Sequence, residues 1–161
     1  MKFDLRKITE NDITTVIALM REFAEYENLT EFCEITEARL FAAMFGDGCF
    51  VEGLIAFAGQ VAAGYALFYP DFASFRSQRG LFLEDLYIKP EYRRRALGQT
   101  ILREIAKSAK SRGFDRIDFQ VLDWNAPAIA FYEKLGAHRD HDERHFKFTD
   151  AAFDRLLTTD H

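Results

Sequence analysis

Only two cysteines occur in the chain, Cys33 and Cys49, and they are not in Cys-x-x-Cys spacing. That argues against a zinc site and fits a reducing, cytoplasmic setting. No apolar run approaches the ~20 residues that a membrane span needs. The opening MKFDLRKITE lacks the apolar core of a signal peptide. Positive charge is the minority: 21 Lys and Arg stand against 26 Asp and Glu, a formal net charge of −5. Such a balance disfavours non-specific nucleic-acid binding and is compatible with cationic substrates. There is no Gly-x-Ser-x-Gly elbow and no Walker A loop. Repeats, linkers and low-complexity segments are also missing, so the 161 residues are expected to form one domain, 1–161, with a sizeable core.

What is plentiful is apolar and aromatic. Hydrophobic residues make up 48% of the chain, which takes disorder off the table, and 17 are phenylalanine. Residues 2–8 read as a first strand. Thr9, with Asp12 three residues on, resembles a capping box. Ile13, Val16, Ile17, Met20, Phe23 and Ala24 then share one helical face through to about Tyr26. Residues 28–35 are a polar, acidic connection, and Thr36 caps a second helix carrying Leu40, Phe41 and Met44. Residues 49–57 and 61–69 are two strands joined by a turn at Ala58-Gly59-Gln60. Residues 70–79 are expected to be a mobile loop with Phe72 and Phe75 exposed.

The most informative stretch runs from Gly80 to Arg112. Leu81, Phe82, Leu83, Leu86, Tyr87 and Ile88 predict a buried strand, ended by Lys89-Pro90. Leu97, Ile101, Leu102, Ile105, Ala106 and Ala109 recur at helical spacing, and Gly113 is the stop. Between strand and helix stand Arg93, Arg94 and Arg95. A helix start there aims free N–H groups and dipole at one spot, which favours an anion, although an arginine run is equally a solvated loop. Beyond it, residues 115–122 read as a strand and Pro127 opens a helix ended by Gly136. Two short strands, 137–141 and 144–148, and a helix from Asp150 complete a mixed α/β sheet.

Glu84 and Asp85 lie inside an otherwise apolar strand, where an unpaired buried carboxylate is costly. Adjacent strand residues point to opposite faces, so one of the two would be buried. An edge strand or an ion pair with arginine would explain them structurally; the reading preferred here is function for Glu84 and an orienting role for Asp85. By sequence alone Asn125 is adequately explained as an N-cap and Tyr132 as a core aromatic. His138, His141 and His145 fall in the expected hairpin, with no thiolate or fixed carboxylate beside them, so no metal is expected.

Taken together, LEDLYIKPEYRRRALGQTIL and DWNAPAIAFYEKLGA resemble the two signatures of the GNAT superfamily of N-acetyltransferases. The first contains Arg93-Arg94-Arg95-Ala96-Leu97-Gly98 where the family has Arg/Gln-x-x-Gly-x-Gly/Ala. Ala96 replaces the first motif glycine, and Arg94 occupies a position that is often glycine. With EFAEYENL near the start, the chain resembles the diamine (spermidine/spermine) and thialysine branch. The resemblance implies a mixed, mostly antiparallel central sheet with helices on both faces. It also implies acetyl-CoA as donor, no metal, a small amine as acceptor and a homodimer. Leu86, Tyr87 and Ile88 would bind the pantetheine arm through their backbones. Arg93, Arg94, Arg95, Ala96, Leu97, Gly98 and Gln99 would cradle the pyrophosphate. Asn125 and Ala128 would contact the donor, and Tyr132 would lie by its sulfur. Tyr26, Glu27 and Glu84 match positions that hold the amine, and the family's β-bulge would explain how Glu84 and Asp85 share one run. Transfer would be direct, with Glu84 drawing the amine's proton through a water and Tyr132, with a reference pKa of about 10, protonating the thiolate. A backbone N–H on the central strand would polarise the carbonyl. A different acceptor (an amino acid, a peptide N-terminus, an antibiotic) and a non-catalytic acyl-CoA sensor are the alternatives.

Overall fold

A computed structural model describes residues 1–158, which fall into two compact units divided after Gln120. The first carries β1 (Asp4–Lys7), α1 (Ile13–Tyr26), α2 (Glu37–Phe45), β2 (Glu52–Ala58), β3 (Val61–Ala73), β4 (Gln78–Ile88), α3 (Leu97–Ser111) and β5 (Ile117–Phe119). The strands lie side by side in chain order. β1 to β4 are antiparallel and β5 runs parallel to β4, giving a mixed, mostly antiparallel sheet.

Side-chain alternation sorts the core into two layers. Ile55, Tyr65 and Leu67 pack with Val16, Ile17, Leu40 and Met44 of α1 and α2. The intervening Ala56, Ala66 and Phe68 are equally buried and must point the other way. On that side α3 packs against β4, burying Leu97, Ile101, Ile105 and Ala109. These four recur every fourth residue, so they form one stripe. Helices thus cover both faces. Gly113, at φ 76, lets the chain leave α3 by a left-handed turn, in which the Phe114 N–H bonds the Ala109 carbonyl at 3.0 Å.

The expected start of α1 is present and stronger than a capping box alone. Asp12 Oδ2 accepts from the Thr9 N–H at 2.7 Å and from the Thr9 hydroxyl at 2.8 Å. Arg6 of β1 adds a two-pronged bond, 2.7 and 2.8 Å, to both carboxylate oxygens. Asp12 is buried, and the Arg6 guanidinium holds its carboxyl well below the usual carboxylate range. Thr36 caps α2 as expected, accepting from the Arg39 N–H at 3.2 Å. Of the three apolar residues expected on α2, Leu40 and Met44 are buried and Phe41 is exposed.

Residues 70–79 are not a loop. β3 continues through Pro70 to Ala73, β4 begins at Gln78, and a single 3-10 turn at Ser74–Arg76 closes the hairpin. Pro70 is tolerated for a reason that requires the register. It faces Leu81, whose N–H is turned away to the Arg116 carbonyl, so this pair exchanges no ladder bonds. The proline nitrogen therefore points toward β2, and β2 starts only at Glu52, opposite Phe68. Phe72 and Phe75 are exposed, as expected. The strand predicted over 115–122 shrinks to β5.

The second unit holds α4 (Ala126–Lys134) and α5 (Asp150–Thr158). The strands expected at 137–141 and 144–148 do not form, and that segment, with His138, His141 and His145, is irregular. An isolated two-stranded hairpin is marginal without a third strand or a covering face. Among the described residues no group of three or more His, Cys, Asp or Glu is placed to hold a metal ion.

Replacing Asp12 with alanine is expected to lower unfolding stability at pH 7 by about 1–3 kcal/mol, through the lost cap and the stranded buried donors. Because the folded-state pKa is depressed, Asp12's contribution is complete above about pH 4 and lost as the pH falls further. Denaturant melts of the two proteins should accordingly begin to draw together below about pH 4 and continue to do so as the pH falls toward the depressed folded-state value.

Candidate active site

Strand β4 departs from strict alternation at one residue. Leu67 pairs with Asp85 and Phe68 with Leu83, which leaves Glu84 as the extra residue of a β-bulge. Leu81 and Leu83 therefore share the α3 side, whereas Asp85 and Tyr87 lie on the side of α1. The extra residue also brings Glu84 to that side, because both carboxylates meet tyrosines from the α1 side of β3. Tyr65 donates to Asp85 Oδ2 at 2.9 Å and Tyr69 donates to Glu84 Oε2 at 3.0 Å. The expectation that the two acids would point to opposite faces does not hold, because the bulge brings both to one side, with Glu84 exposed and Asp85 half-buried.

The electrostatics of the two pairs differ. Burial pushes the Asp85 carboxyl up to about 6, the Tyr65 hydrogen bond opposes this, and the charges of Glu84 and Glu27 add to it. Tyr65 is fully buried; burial and the neighbouring Asp85 charge hold its hydroxyl well above its ordinary range. Tyr69 is pushed up to about 12, by burial and then by Glu84. Glu27, just beyond α1, is raised by burial. The charges of Glu84 and Glu27 thus both reach Asp85. Neither Tyr65 nor Tyr69 was singled out from the sequence. The signal that could have found them is their period-two spacing on β3, with Leu67 between.

One edge of β4 is open where the carboxylates lie. Pairing with β5 ends at Leu83 opposite Phe119, so among the described residues no strand covers the edge from Glu84 to Ile88. The Lys89 N–H bonds the Ala63 carbonyl at 2.9 Å. By alternation, the backbones of Asp85 and Tyr87 are committed to β3, while those of Leu86 and Ile88 point to the open edge. The Ile88 carbonyl is met there by Arg93 Nε at 2.8 Å. Arg93 also lies over the Tyr26 ring, 4.6 Å from its centroid, so its charge is turned back toward the end of α1. Such a stacked guanidinium contributes about 0.5–2 kcal/mol.

The approach to α3 needs two left-handed residues, Arg94 at φ 59 and Ala96 at φ 60. Ala96 replaces the first motif glycine of the resemblance and Arg94 stands at a position that is often glycine, the residue that adopts this conformation without strain. The Thr100 N–H makes the first helical bond, to the Ala96 carbonyl, at 2.9 Å. The N–H groups of Leu97, Gly98 and Gln99 therefore precede the intrahelical ladder, and the helix dipole favours an anion in front of them. Arg94 and Arg95 are exposed beside this turn.

In the second unit, Asn125 is the N-cap of α4, its side chain accepting from the Ala128 N–H at 3.3 Å. It is also buried. Asn125, Ala128 and Tyr132 are spaced by three and four residues, which puts them on one side of the helix. Tyr132 is half-buried and packs edge-on against Phe131 at 5.1 Å.

Residues 16–137 match the acetyltransferase (GNAT) family. The chain is 36% identical to thialysine N-epsilon-acetyltransferase of Bos taurus over 141 residues, which is 83% of this chain and 82% of that protein. To the Caenorhabditis elegans protein of the same name it is 34% identical over 133 residues, covering 83% and 81%. An integron cassette protein from the mobile metagenome of V. cholerae shares the fold with a TM-score of 0.83 at 16% identity, over 99% of each chain. An aminoglycoside acetyltransferase from an uncultured soil metagenomic sample does so at 0.77 and 21% identity, covering 94% of this chain and all of that one. These matches make the chain an acyl-group transferase of α/β architecture. It belongs to the GNAT acetyltransferase family, whose donor is acetyl-CoA, and is an N-acetyltransferase.

Ala96→Gly should relieve the left-handed strain and raise unfolding stability by up to about 1 kcal/mol. Ala96→Val should lower it, and a urea melt of each variant reads the sign directly.

Proposed function

We propose that the chain moves an acetyl group from acetyl-CoA to a primary amine of a small cationic molecule, a polyamine, a diamine or a lysine-like amino acid. The observation that carries the acceptor class is the acidic side of β4, where Glu84 and Asp85 lie side by side under the influence of Glu27. A cationic amine neutralises such a set, whereas an anionic acceptor would be repelled by it. The Bos taurus relative is named for thialysine, a lysine-like amine. A relative from Arabidopsis thaliana, 42% identical over 77 residues or 48% of this chain, is an L-ornithine N5-acetyltransferase. Tyr26 and Glu27 complete the acceptor side.

The residues fit the donor. Leu86 and Ile88 offer backbone groups at the open edge to an amide-bearing arm, and Tyr87, with its own backbone bonded to β3, holds that edge in register. The N–H groups of Leu97, Gly98 and Gln99, approached through Arg93, Arg94, Arg95 and Ala96, suit a pyrophosphate. Asn125 and Ala128 bind from α4. When bound, acetyl-CoA supplies the acetyl group as a thioester open to direct attack by an amine. Glu84, exposed at the bulge, holds the ammonium and passes its proton on through a water. Tyr132 donates the proton that the departing thiolate needs. Because the family match spans both compact units, residues 1–161 are read as one catalytic domain.

The protein is further proposed to be a cytoplasmic homodimer. Exposed Phe146, Phe148, Phe153, Leu156 and Leu157 supply apolar surface for a second copy. Free Cys33 and Cys49 suit a reducing compartment.

Thiol release from acetyl-CoA should be selective within a panel of spermidine, putrescine, lysine, thialysine, ornithine and an N-terminal peptide, with the small cationic amines preferred. Tyr132→Phe should lower kcat by about 100-fold or more and leave the acetyl-CoA dissociation constant within about twofold. Unchanged kcat would remove Tyr132 from the proton transfer.

A further inference from the structure

Glu84 and Asp85 are chemically equivalent in sequence but not in surroundings. Glu84 lies at the surface of the bulge with the Tyr69 hydroxyl on Oε2. Asp85 is drawn inward, and its contact with Tyr65 takes up Oδ2. The hydrogen bond leaves Oδ1 unused, on a side chain that is half-buried rather than enclosed. The carboxylate thus has one oxygen fixed by a buried donor and the other open on the acidic side of β4. A fixed, partly desolvated group one residue from the exposed acid has the geometry of a proton's destination.

We propose that Asp85, held by Tyr65, is the final acceptor of the proton that the amine loses, with Glu84 binding the ammonium and relaying that proton. This rests on the reading above that the amine lies at the β4 bulge. In the step, the ammonium R–NH3+ gives a proton through Glu84 and water to the Asp85 carboxylate, leaving R–NH2 and a neutral Asp85. The amine nitrogen then forms its bond to the acyl carbon of the thioester as the carbon–sulfur bond breaks. The second nitrogen proton ends on the thiol, and the proton on Asp85 returns to solvent before the next turnover.

The groups that face Asp85 are compatible with this role. Tyr65 lies across on β3, Glu84 precedes it on β4, and Glu27 is felt from the end of α1. Cys33 acts on Tyr65. The cations nearby are engaged elsewhere: Lys89 with Glu22 at 3.3 Å and Arg93 with Ile88 and Tyr26. With burial and like charges around it, the carboxyl sits at about 6, basic enough to take a proton and acidic enough to be empty at neutral pH. Removing the Tyr65 hydrogen bond, which favours the charged form, would move it higher.

The test combines the pH profile of kcat/KM for the amine with carboxyl 13C NMR titration of the donor-free protein. The wild type should show an acid limb near pH 6 followed by a plateau, and the Asp85 carboxyl should titrate at the same pH. Asp85→Asn should lose that limb and fall at least about 100-fold at pH 7, recovering as the pH approaches the amine's own pKa and free amine accumulates. Tyr65→Phe should shift both the limb and the NMR titration to higher pH. It reads the same proton without touching Asp85, should Asp85→Asn fold poorly. Glu84→Gln should raise the amine KM and slow turnover, with water alone left to carry the proton, and should move the limb to lower pH without removing it, because the Glu84 charge helps to raise Asp85. A limb that survives in Asp85→Asn, or one that disappears in Glu84→Gln, would overturn the proposal. Absence of acetyl transfer to every amine by the wild type would instead overturn the acceptor reading, and this proposal with it.

Discussion

An antiparallel strand can present a given side chain to only one face, and a single extra residue reverses the assignment for everything beyond it. At Glu84 the sheet uses that rule. Before the bulge, β4 buries Leu81 and Leu83 toward α3. After it, Asp85 and Tyr87 turn toward α1. Were the same sequence paired in strict alternation, with no bulge, Asp85 would point with Leu83 into the apolar layer beneath α3. With the bulge, both acids reach the tyrosines of β3. The open edge of β4 belongs to the same region, because β5 stops pairing at Leu83, one residue before the bulge.

The acidic cluster and the anion-favouring helix start lie at two ends of a short path. β4 carries the acids, then the backbone groups of Leu86 and Ile88, then the turn with Arg93 to Ala96, then the first N–H groups of α3. An extended donor with an acyl end and a pyrophosphate end matches that order. Arg93 ties the path to α1 by bonding the Ile88 carbonyl while stacking on Tyr26. The left-handed Arg94 and Ala96 mark the strain this turn carries, since both hold a conformation that glycine adopts freely.

Much of the fold was legible because it depends on local chemistry. Thr9 and Asp12, Thr36, Gly113, and Asn125 with Pro127 mark helix ends by hydrogen bonds and backbone preferences that span a few residues. The stripe of Leu97, Ile101, Ile105 and Ala109 follows from helical period. The misreadings fall where partners decide. Residues 70–79 were expected as a loop, yet β3 runs through Pro70, whose missing N–H faces no strand. Residues 137–141 and 144–148 were expected as strands and form none. The hydroxyls of Tyr65 and Tyr69 acquire meaning only once β3 is laid against β4 in register.

The order of elements, the helix caps, the open turn before α3 and the presence of two acids in an apolar strand were determined by the sequence itself, through residue period, capping chemistry and the family signatures. Tertiary structure alone decided which acid is half-buried, which tyrosine holds it, and which backbone groups of β4 remain available. The physical reason is that these properties belong to pairs of strands: the register between β3 and β4, with its one extra residue, cannot be read from either strand alone.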